Sequence, residues 1–317
     1  MNRLFDFIVA LGDLFMPRAC LACGRRLGMR ERHLCLSCAA DVPYTRFWMA
    51  AHNPLADRFN AVLERHRGTE PMDYAYAAAL IYYKGAYRAI PRALKYQGDL
   101  AAGRHYGALL GRRLAAAPHF ADIDLVIPVP LHWTRLRSRG YNQAEILACA
   151  LADAFRAAPT PSPAVPTPTT VIPGLPRNLP EVRTDLLVRA RRTRTQTRVS
   201  VDQKAQNVAS AFQVPDRFPL WARFVSTLKG EVRESPAEVL ASARHILLVD
   251  DTFTTGSTLY ACYAALRPFT TARISIATLA AVEGTPSLEG PPSGTGGPPS
   301  APGDVPVSTP SFGPREG

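Results

Sequence analysis

The stretch His245-Ile-Leu-Leu-Val-Asp-Asp-Thr-Phe-Thr-Thr-Gly-Ser-Thr258 decides the fold of this chain. Its apolar run, Ile246–Val249, is typical of a parallel strand that is buried on both faces. The pair Asp250-Asp251 ends this run, a loop of small hydroxyl residues follows, and Leu259–Leu266 then has apolar residues at helical spacing. We therefore predict a strand, a loop and a helix that belong to an α/β domain.

The loop of this unit has the groups that bind a phosphate. Thr254, Thr255, Gly256, Ser257 and Thr258 open the predicted helix, where backbone N–H groups, hydroxyls and a positive helix end meet. In open α/β sheets, ligands bind at the carboxyl ends of the strands. The adjacent carboxylates repel phosphate, but they accept hydrogen bonds from vicinal hydroxyls or bind a divalent cation. A ligand with a diol close to a phosphate is a ribose 5-phosphate.

Two other interpretations of the acidic pair are weaker. A response-regulator receiver domain also has acidic residues after an apolar strand, but it needs a phospho-acceptor Asp two strands later. The next Asp after Asp251 is Asp304, in a proline-rich segment. Asp251 alone could cap the following helix, but capping does not require the whole hydroxyl and glycine string.

Four of the six cysteines form two C-x-x-C pairs near the N-terminus, Cys20 with Cys23 and Cys35 with Cys38. Two such pairs complete a tetrahedral site for Zn²⁺, and four thiolates leave no open position, so we predict a structural zinc ribbon. A redox dithiol, the alternative, needs only one pair. His33 lies nearby and is interpreted as a surface histidine. Clustered cysteines favour metal binding in a reducing compartment, and we expect the protein in the cytoplasm.

Composition and charge limit the remaining classes. The chain has 317 residues, a net charge of +11, 47% hydrophobic residues and no run of about 18 uncharged apolar residues, so we expect a sizeable core and no membrane insertion. Eight of the 29 prolines lie in 159–180 and nine in 286–314. These segments predict an insertion at 157–184 and a disordered tail at 283–317. The apolar stretch Leu4–Met16 predicts a docking helix rather than a signal peptide.

Basic residues follow the other predicted strands. Leu125–Pro130 predicts a second buried strand, and after it Arg135, Arg137 and Arg139 alternate in what we expect to be a short loop. This loop is either a solvated basic surface or a contact for pyrophosphate, whose oxygens match guanidinium donors. The arginine-rich segment Leu187–Arg198 predicts a strand that leads into a mobile basic loop.

The unit 246–258 resembles the phosphoribosyl-pyrophosphate (PRPP) signature of type I phosphoribosyltransferases. The order of motifs along the chain, from about Leu14 to Val282, resembles the ComF family. The segments that carry this resemblance are Cys20–Cys38, Tyr83-Lys-Gly85, Leu94-Lys-Tyr-Gln-Gly98, Val129-Pro-Leu131, Arg139–Gln143, Arg191–Gln196, Asn207–Phe212 and Val249–Gly256. The chain differs from the family at Lys204, where an Arg is usual, and in longer connections at 157–184 and 217–243, which we expect to lack periodicity.

The resemblance implies a type I phosphoribosyltransferase-like parallel sheet with flanking helices at 70–282, preceded by a lead helix and a four-cysteine zinc ribbon at 1–45. It implies that Asp250 and Asp251 bind the ribose hydroxyls of PRPP, and that the loop 254–258 binds its 5-phosphate. Arg135, Arg139 and Arg191 are the expected catalytic residues near the pyrophosphate, Mg²⁺ accompanies PRPP, and the segment Arg191–Arg198 is a candidate lid. No general base is assigned.

Two functions remain open at this point. One is transfer of phosphoribosyl to an unknown acceptor, which is expected to be a nitrogen nucleophile. The other is a binding module for PRPP or single-stranded DNA, since the resemblance implies partners in competence or DNA processing and a basic chain suits nucleic acid.

Overall fold

A computed structural model describes residues 18–66, 73–157, 180–189, 211–218 and 234–284, and these contain seven strands in two sheets. The strands are β1 (Ala77–Tyr82), β2 (Leu125–Pro128), β3 (Glu181–Val182), β4 (Val188–Arg189), β5 (Phe212–Gln213), β6 (His245–Phe253) and β7 (Arg273–Ala281). The helices are α1 (Leu36–Ala40), α2 (Pro54–His66), α3 (Ala89–Arg92), α4 (Leu100–Ala115), α5 (Trp133–Arg139), α6 (Gln143–Ala157), α7 (Pro236–Ser242) and α8 (Ser257–Leu266).

The main sheet has five parallel strands in the order β1-β7-β6-β2-β3. Helices flank it, and the short pair β4 and β5 forms a separate antiparallel ribbon. This architecture confirms the predicted α/β fold and fits a type I phosphoribosyltransferase-like sheet. The four-cysteine cluster that precedes it is compatible with the predicted zinc ribbon.

Strand β6 occupies the centre of this sheet, with β2 on one side and β7 on the other. Its run from His245 to Val249 is buried, as the apolar sequence predicts. The strand continues past the acidic pair to Phe253, because β7 goes on pairing with it as far as Phe253 and Ala281. The acidic pair therefore lies inside the strand, close to its carboxyl end.

Helices α4 and α6 pack closely against each other on one face of the sheet. A Cβ atom at Gly107 would lie 2.8 Å from the carbonyl oxygen of Leu147, so the backbones approach too closely for any side chain there. On the other side of the sheet, α2 places Leu55, Phe59 and Leu63 in a cluster with β6 and α8. The fold therefore encloses apolar clusters on both faces of the sheet.

Two connections differ from the expected loops. Arg135, Arg137 and Arg139 lie on helix α5, which begins after the cap residue His132 and ends at Gly140 in a left-handed conformation (φ 79°). The connection 217–243 contains helix α7, which starts with a capping box between Ser235 and Glu238. In both places, local capping groups produce a helix that apolar periodicity does not reveal.

Several predicted features fall outside the described residues. They are the lead helix before residue 18, most of the insertion at 157–184, the candidate lid with Arg191, the position of Lys204, and the tail beyond Gly284. In the part of the chain that the structure describes, no helix is both long and apolar enough to span a membrane.

Candidate functional site

The loop after β6 has the geometry that the sequence predicts. Gly256 adopts a left-handed conformation (φ 82°) directly before the first residue of α8, Ser257. A Cβ atom there would also lie 3.0 Å from the Phe253 ring, so this position needs glycine on two grounds. The hydroxyls of Thr255 and Ser257 lie 2.9 Å apart, and Thr254 and Thr255 are exposed. The hydroxyls and the helix amino end therefore meet at one place.

Arg58 of α2 donates hydrogen bonds to the backbone at this loop and at the end of β7. Its Nη2 donates to the carbonyl of Thr254 at 2.8 Å, and its Nη1 donates to the carbonyl of Val282 at 2.6 Å. Its guanidinium also lies over the Phe253 ring, 5.1 Å from the centroid. Burial lowers the pKa of Arg58 below its ordinary value. The arrangement fixes the loop backbone and adds a positive charge beneath it.

The second carboxylate of the acidic pair is buried and paired. Asp251 is 3% exposed, and its Oδ1 lies 2.7 Å from the Lys95 ammonium. Its Oδ2 accepts a hydrogen bond from Nε2 of Gln143 at 3.0 Å. Both oxygens thus have donors from two different segments, so Asp251 is held in one orientation as a charged acceptor.

The first carboxylate, Asp250, lies in different surroundings. Its Oδ1 accepts the backbone N–H of Asp251 at 2.8 Å. Burial, together with the neighbouring Asp251 charge, raises the pKa of Asp250 to about 7, although Lys95 and Arg189 act in the opposite direction. A carboxyl group with a pKa near neutrality changes its charge when a cation or a hydrogen-bond donor arrives. Asp250 is therefore the responsive member of the pair.

Two of the arginines expected near the pyrophosphate, Arg135 and Arg139, lie close to residues that contact this pair or act on its charge. Nη1 of Arg139 donates to Oε1 of Gln143 at 3.1 Å, and its guanidinium lies 5.5 Å from the centroid of the Tyr96 ring. Arg135 lies close enough to Arg189 for its charge, after the effect of burial, to lower the pKa of Arg189. Arg139 thus reaches Asp251 through one side chain. The third expected arginine, Arg191, is outside the described residues.

Four residues of this site were not assigned from the sequence, namely Lys95, Gln143, Arg189 and Arg58. Lys95 and Gln143 lie in two of the motif segments, and Arg189 lies in the arginine-rich segment Leu187–Arg198, so the sequence indicated the segments but not the contacts. Arg58 had no such signal, because it lies on an ordinary amphipathic helix at 54–66. Only the tertiary fold brings these residues to the carboxyl end of β6.

The four cysteines fit a tetrahedral zinc site. Their Sγ atoms all lie within 4.8 Å of one another, and those of Cys23 and Cys35 are 3.8 Å apart. Zn–S bonds of about 2.3 Å in a tetrahedron place sulfur atoms about 3.8 Å apart. The backbone N–H of Cys35 also donates to Sγ of Cys20 at 3.4 Å, a contact that suits a thiolate. A closed four-sulfur shell would make the metal structural.

His33 is not the surface histidine that the sequence suggested. Only 15% of its side chain is exposed, and its Nδ1 lies 3.9 Å from Oδ2 of Asp99. Its ring also faces that of His105, with centroids 5.1 Å apart. The histidine therefore lies between the cysteine cluster and helix α4, where it joins the two.

Comparison with protein-family models finds no match, and comparison with curated proteins finds no significant match. Assignment of a function therefore depends on the fold and on the geometry at the carboxyl end of β6.

Proposed function

We propose that this chain is a ComF-like phosphoribosyltransferase that binds PRPP and transfers its phosphoribosyl group to a nitrogen nucleophile. The observation that supports this most is the acidic pair Asp250-Asp251 at the carboxyl end of the central strand, followed directly by the loop that Gly256 closes. The carboxylates are suited to the ribose diol, and the loop beside them is suited to the 5-phosphate of the same ribose.

Each part of the site has a role in this proposal. Asp250 and Asp251 accept hydrogen bonds from the ribose hydroxyls, and the loop 254–258 donates to the 5-phosphate. Lys95 pairs with Asp251 and Arg189 acts on Asp250, while Arg139 bonds to Gln143 and Arg135 lies near Arg189. These cations are suited to the charge of pyrophosphate. The carboxylate of Asp250 is a suitable oxygen ligand for Mg²⁺ that arrives with PRPP and neutralises part of the pyrophosphate charge.

The reaction is a displacement at C1 of the ribose. The bond from C1 to the pyrophosphate oxygen breaks, pyrophosphate leaves with the electron pair, and a bond from the acceptor nitrogen to C1 forms with loss of a proton from that nitrogen. The transition state resembles an oxocarbenium ion, so the residues of the site act by holding the ribose and stabilising the leaving group. No described residue is assigned as the general base.

Binding of PRPP to the wild type and to the variant Asp250→Asn/Asp251→Asn, measured by calorimetry with Mg²⁺, tests this proposal. The variant replaces charged acceptors of two hydroxyls, so we expect its dissociation constant to rise by about 100-fold or more. The variant Asp73→Asn/Asp153→Asn removes the same charge from exposed positions and should bind like the wild type. Equal binding by the wild type and the site variant would refute the assignment. If the site variant binds more weakly, a screen of amines and bases for pyrophosphate release would identify the acceptor.

A second function, binding of single-stranded DNA, is favoured by the surface of α5. Trp133 is 63% exposed and Leu136 is 42% exposed, on the helix that also carries Arg135, Arg137 and Arg139. Tyr96, which is 72% exposed, lies against Arg139. Exposed aromatic rings among arginines are suited to stacked bases and phosphates.

This second function predicts that the affinity for a single-stranded oligonucleotide falls steeply with salt. Trp133→Ala should weaken that binding by about 5-fold or more, since stacking on one base contributes about 1–3 kcal/mol. Affinity for PRPP, measured in parallel, should not change. Fluorescence anisotropy with a labelled oligonucleotide measures the first quantity. Salt-independent binding, or equal binding by the variant, would exclude this surface.

A further inference from the structure

The cysteine cluster contacts the segment that carries Lys95. This segment, residues 85–98, is called the Lys95 segment below. It consists of a 3-10 turn (Gly85–Arg88), helix α3 and a π-helical turn (Ala93–Gln97), and it ends at Gly98 in a left-handed conformation (φ 68°). Single π turns are rare and are often found at functional sites. What holds this turn in place therefore bears on the position of Lys95.

The ribbon is joined to the first half of the Lys95 segment by a hydrogen bond and by apolar packing. The hydroxyl of Tyr87 donates to the backbone carbonyl of Cys38 at 2.9 Å. Two of the cysteines, Cys20 and Cys35, are buried in the same apolar cluster as Ile90 and Leu94. The metal ligands and the Lys95 segment thus share one core.

A second contact lies just beyond the other end of the segment. His33, two residues before Cys35, approaches the carboxylate of Asp99. The same carboxylate caps helix α4 by accepting the N–H of Ala102 at 2.8 Å, and the N–H of Asp99 donates to the carbonyl of Ala93 at 3.3 Å. The ribbon therefore meets the Lys95 segment at both of its ends.

The π turn lies between these two contacts, and two of its residues contact the functional site. The ammonium of Lys95 extends to Oδ1 of Asp251 at 2.7 Å, and the ring of the next residue, Tyr96, packs under Arg139. The hydroxyl of Tyr141 also donates to the carbonyl of Leu94. Outside the site, the segment is also held by the bond from Tyr87 to Cys38 and by Asp99, which bonds to Ala93 and lies near His33.

We propose that the ribbon, when its metal is bound, positions Lys95 at Asp251, and that Tyr87 is the positioning residue that transmits this effect. Metal occupancy and affinity for PRPP are then coupled. This inference rests on the proposed function for its ligand, but not for the link between the ribbon and the Lys95 segment. Coupling of two binding equilibria is reciprocal, so PRPP must raise the affinity for zinc by the same factor by which zinc raises the affinity for PRPP.

The variant Tyr87→Phe tests the positioning role without changing a metal ligand. It removes one hydroxyl, and we expect bound zinc to remain at one ion per chain while the dissociation constant for PRPP rises by about 2- to 10-fold, the range for one net hydrogen bond. Tyr83→Phe is the matched control, because in the described part of the chain the Tyr83 hydroxyl has no hydrogen-bond partner. Unchanged PRPP binding by Tyr87→Phe would overturn the role of Tyr87.

Hydrogen exchange of the full chain, with zinc bound and after removal by a chelator, tests the link without any ligand. We expect faster exchange in residues 85–98 after removal, while the central strand β6 stays protected. Equal exchange in 85–98 would overturn the inference. If the wild type does not bind PRPP at all, the proposed function fails, but the exchange result still decides whether the ribbon holds the Lys95 segment.

Competition with a chromogenic chelator measures the reciprocal effect. Saturating PRPP should lower the dissociation constant for zinc by the factor that zinc removal imposes on the PRPP dissociation constant. A PRPP dissociation constant that is equal in zinc-loaded and zinc-depleted protein, with β6 still protected from exchange, would refute the coupling and leave the proposed function intact.

Discussion

Asp250 and Asp251 are adjacent and chemically identical, yet the fold gives them different properties. Side chains alternate along β6, so Asp251 meets Lys95 and Gln143 while Asp250 lies near Arg189 and the buried Cys262. The charge of Asp250, after the effect of burial, even contributes to raising the pKa of the Cys262 thiol. The sequence predicted the pair but assigned both carboxylates the same role. Only the tertiary neighbours, which come from helices, a turn and the separate ribbon, distinguish the two carboxylates.

The raised pKa of Asp250 predicts how binding and stability depend on pH. Its pKa is about 7 in the folded chain, against an ordinary value of 3.8 for an aspartate in the unfolded chain, so between these values the folded state binds a proton that the unfolded state has lost. The contribution of Asp250 to stability is therefore present below about pH 4 and is lost as pH rises toward 7. Relative to Asp250→Asn, the unliganded wild type should lose stability over this window, as denaturant unfolding at several pH values would show.

Binding of PRPP should release a proton from the same group. The ribose hydroxyls donate to an ionised carboxylate, so the complex favours the charged form of Asp250 and binding should tighten as pH rises through about 7. Calorimetry in buffers of different ionisation enthalpy measures the number of protons released. The same measurement on Asp250→Asn subtracts protons from the phosphates of PRPP itself. An identical proton count for the two proteins would show that Asp250 does not titrate on binding.

At the scale of elements, the sequence predicted the strands and helices whose apolar residues follow one clear pattern. The apolar run of β6, the helix that follows its loop, and the second buried strand, β2, are all present. Their boundaries shifted because pairing with β7 extends β6 to Phe253, and no pattern in β6 itself specifies its partner. Existence and type therefore followed from local sequence, but length followed from the neighbouring strand.

Helix α5 shows the opposite case. Its three alternating arginines and two large apolar residues have no apolar face, since Trp133 and Leu136 stay exposed. Without such a face, periodicity predicted a loop, whereas the cap residue His132 and the left-handed Gly140 define a helix.

The sequence did not indicate that helix α2 is a part of the site, for a different reason. Arg58 reaches the carbonyls of Thr254 and Val282 over a separation of about two hundred residues, which no local pattern reports.

At the scale of the molecule, the ribbon packs against one face of the sheet and α2 packs against the other. The cysteines Cys20 and Cys35 share an apolar cluster with β6 and β7, whereas Phe59 of α2 packs in the cluster on the other face. Residues between the ribbon and residue 70, which the sequence left unassigned, thus contribute to the core of the sheet. The site lies where both parts reach the carboxyl end of β6, with Lys95 on the ribbon side and Arg58 on the side of α2.

The residues just after β7 show where this folded unit ends. The N–H of Val282 donates to the carbonyl of Phe253 at 2.9 Å, and its carbonyl accepts from Arg58. A chain truncated after Gly284 keeps both bonds, so we expect its stability to equal that of the full chain within about 0.5 kcal/mol. A chain truncated after Ala281 loses both, and since one involves a charged donor, its free energy of unfolding should fall by about 2–4 kcal/mol.

The two truncated chains should also differ in their affinity for ligands. Without Val282, Arg58 keeps only the carbonyl of Thr254, so the loop 254–258 is held less firmly and its affinity for ribose 5-phosphate should fall. Affinity for inorganic pyrophosphate should fall less, because Lys95 and Arg139 are anchored elsewhere. Calorimetry with the two ligands, beside denaturant unfolding of both chains, makes this comparison. If the shorter chain were as stable as the longer one, or lost affinity for both ligands equally, Arg58 would not link the end of β7 to the loop 254–258.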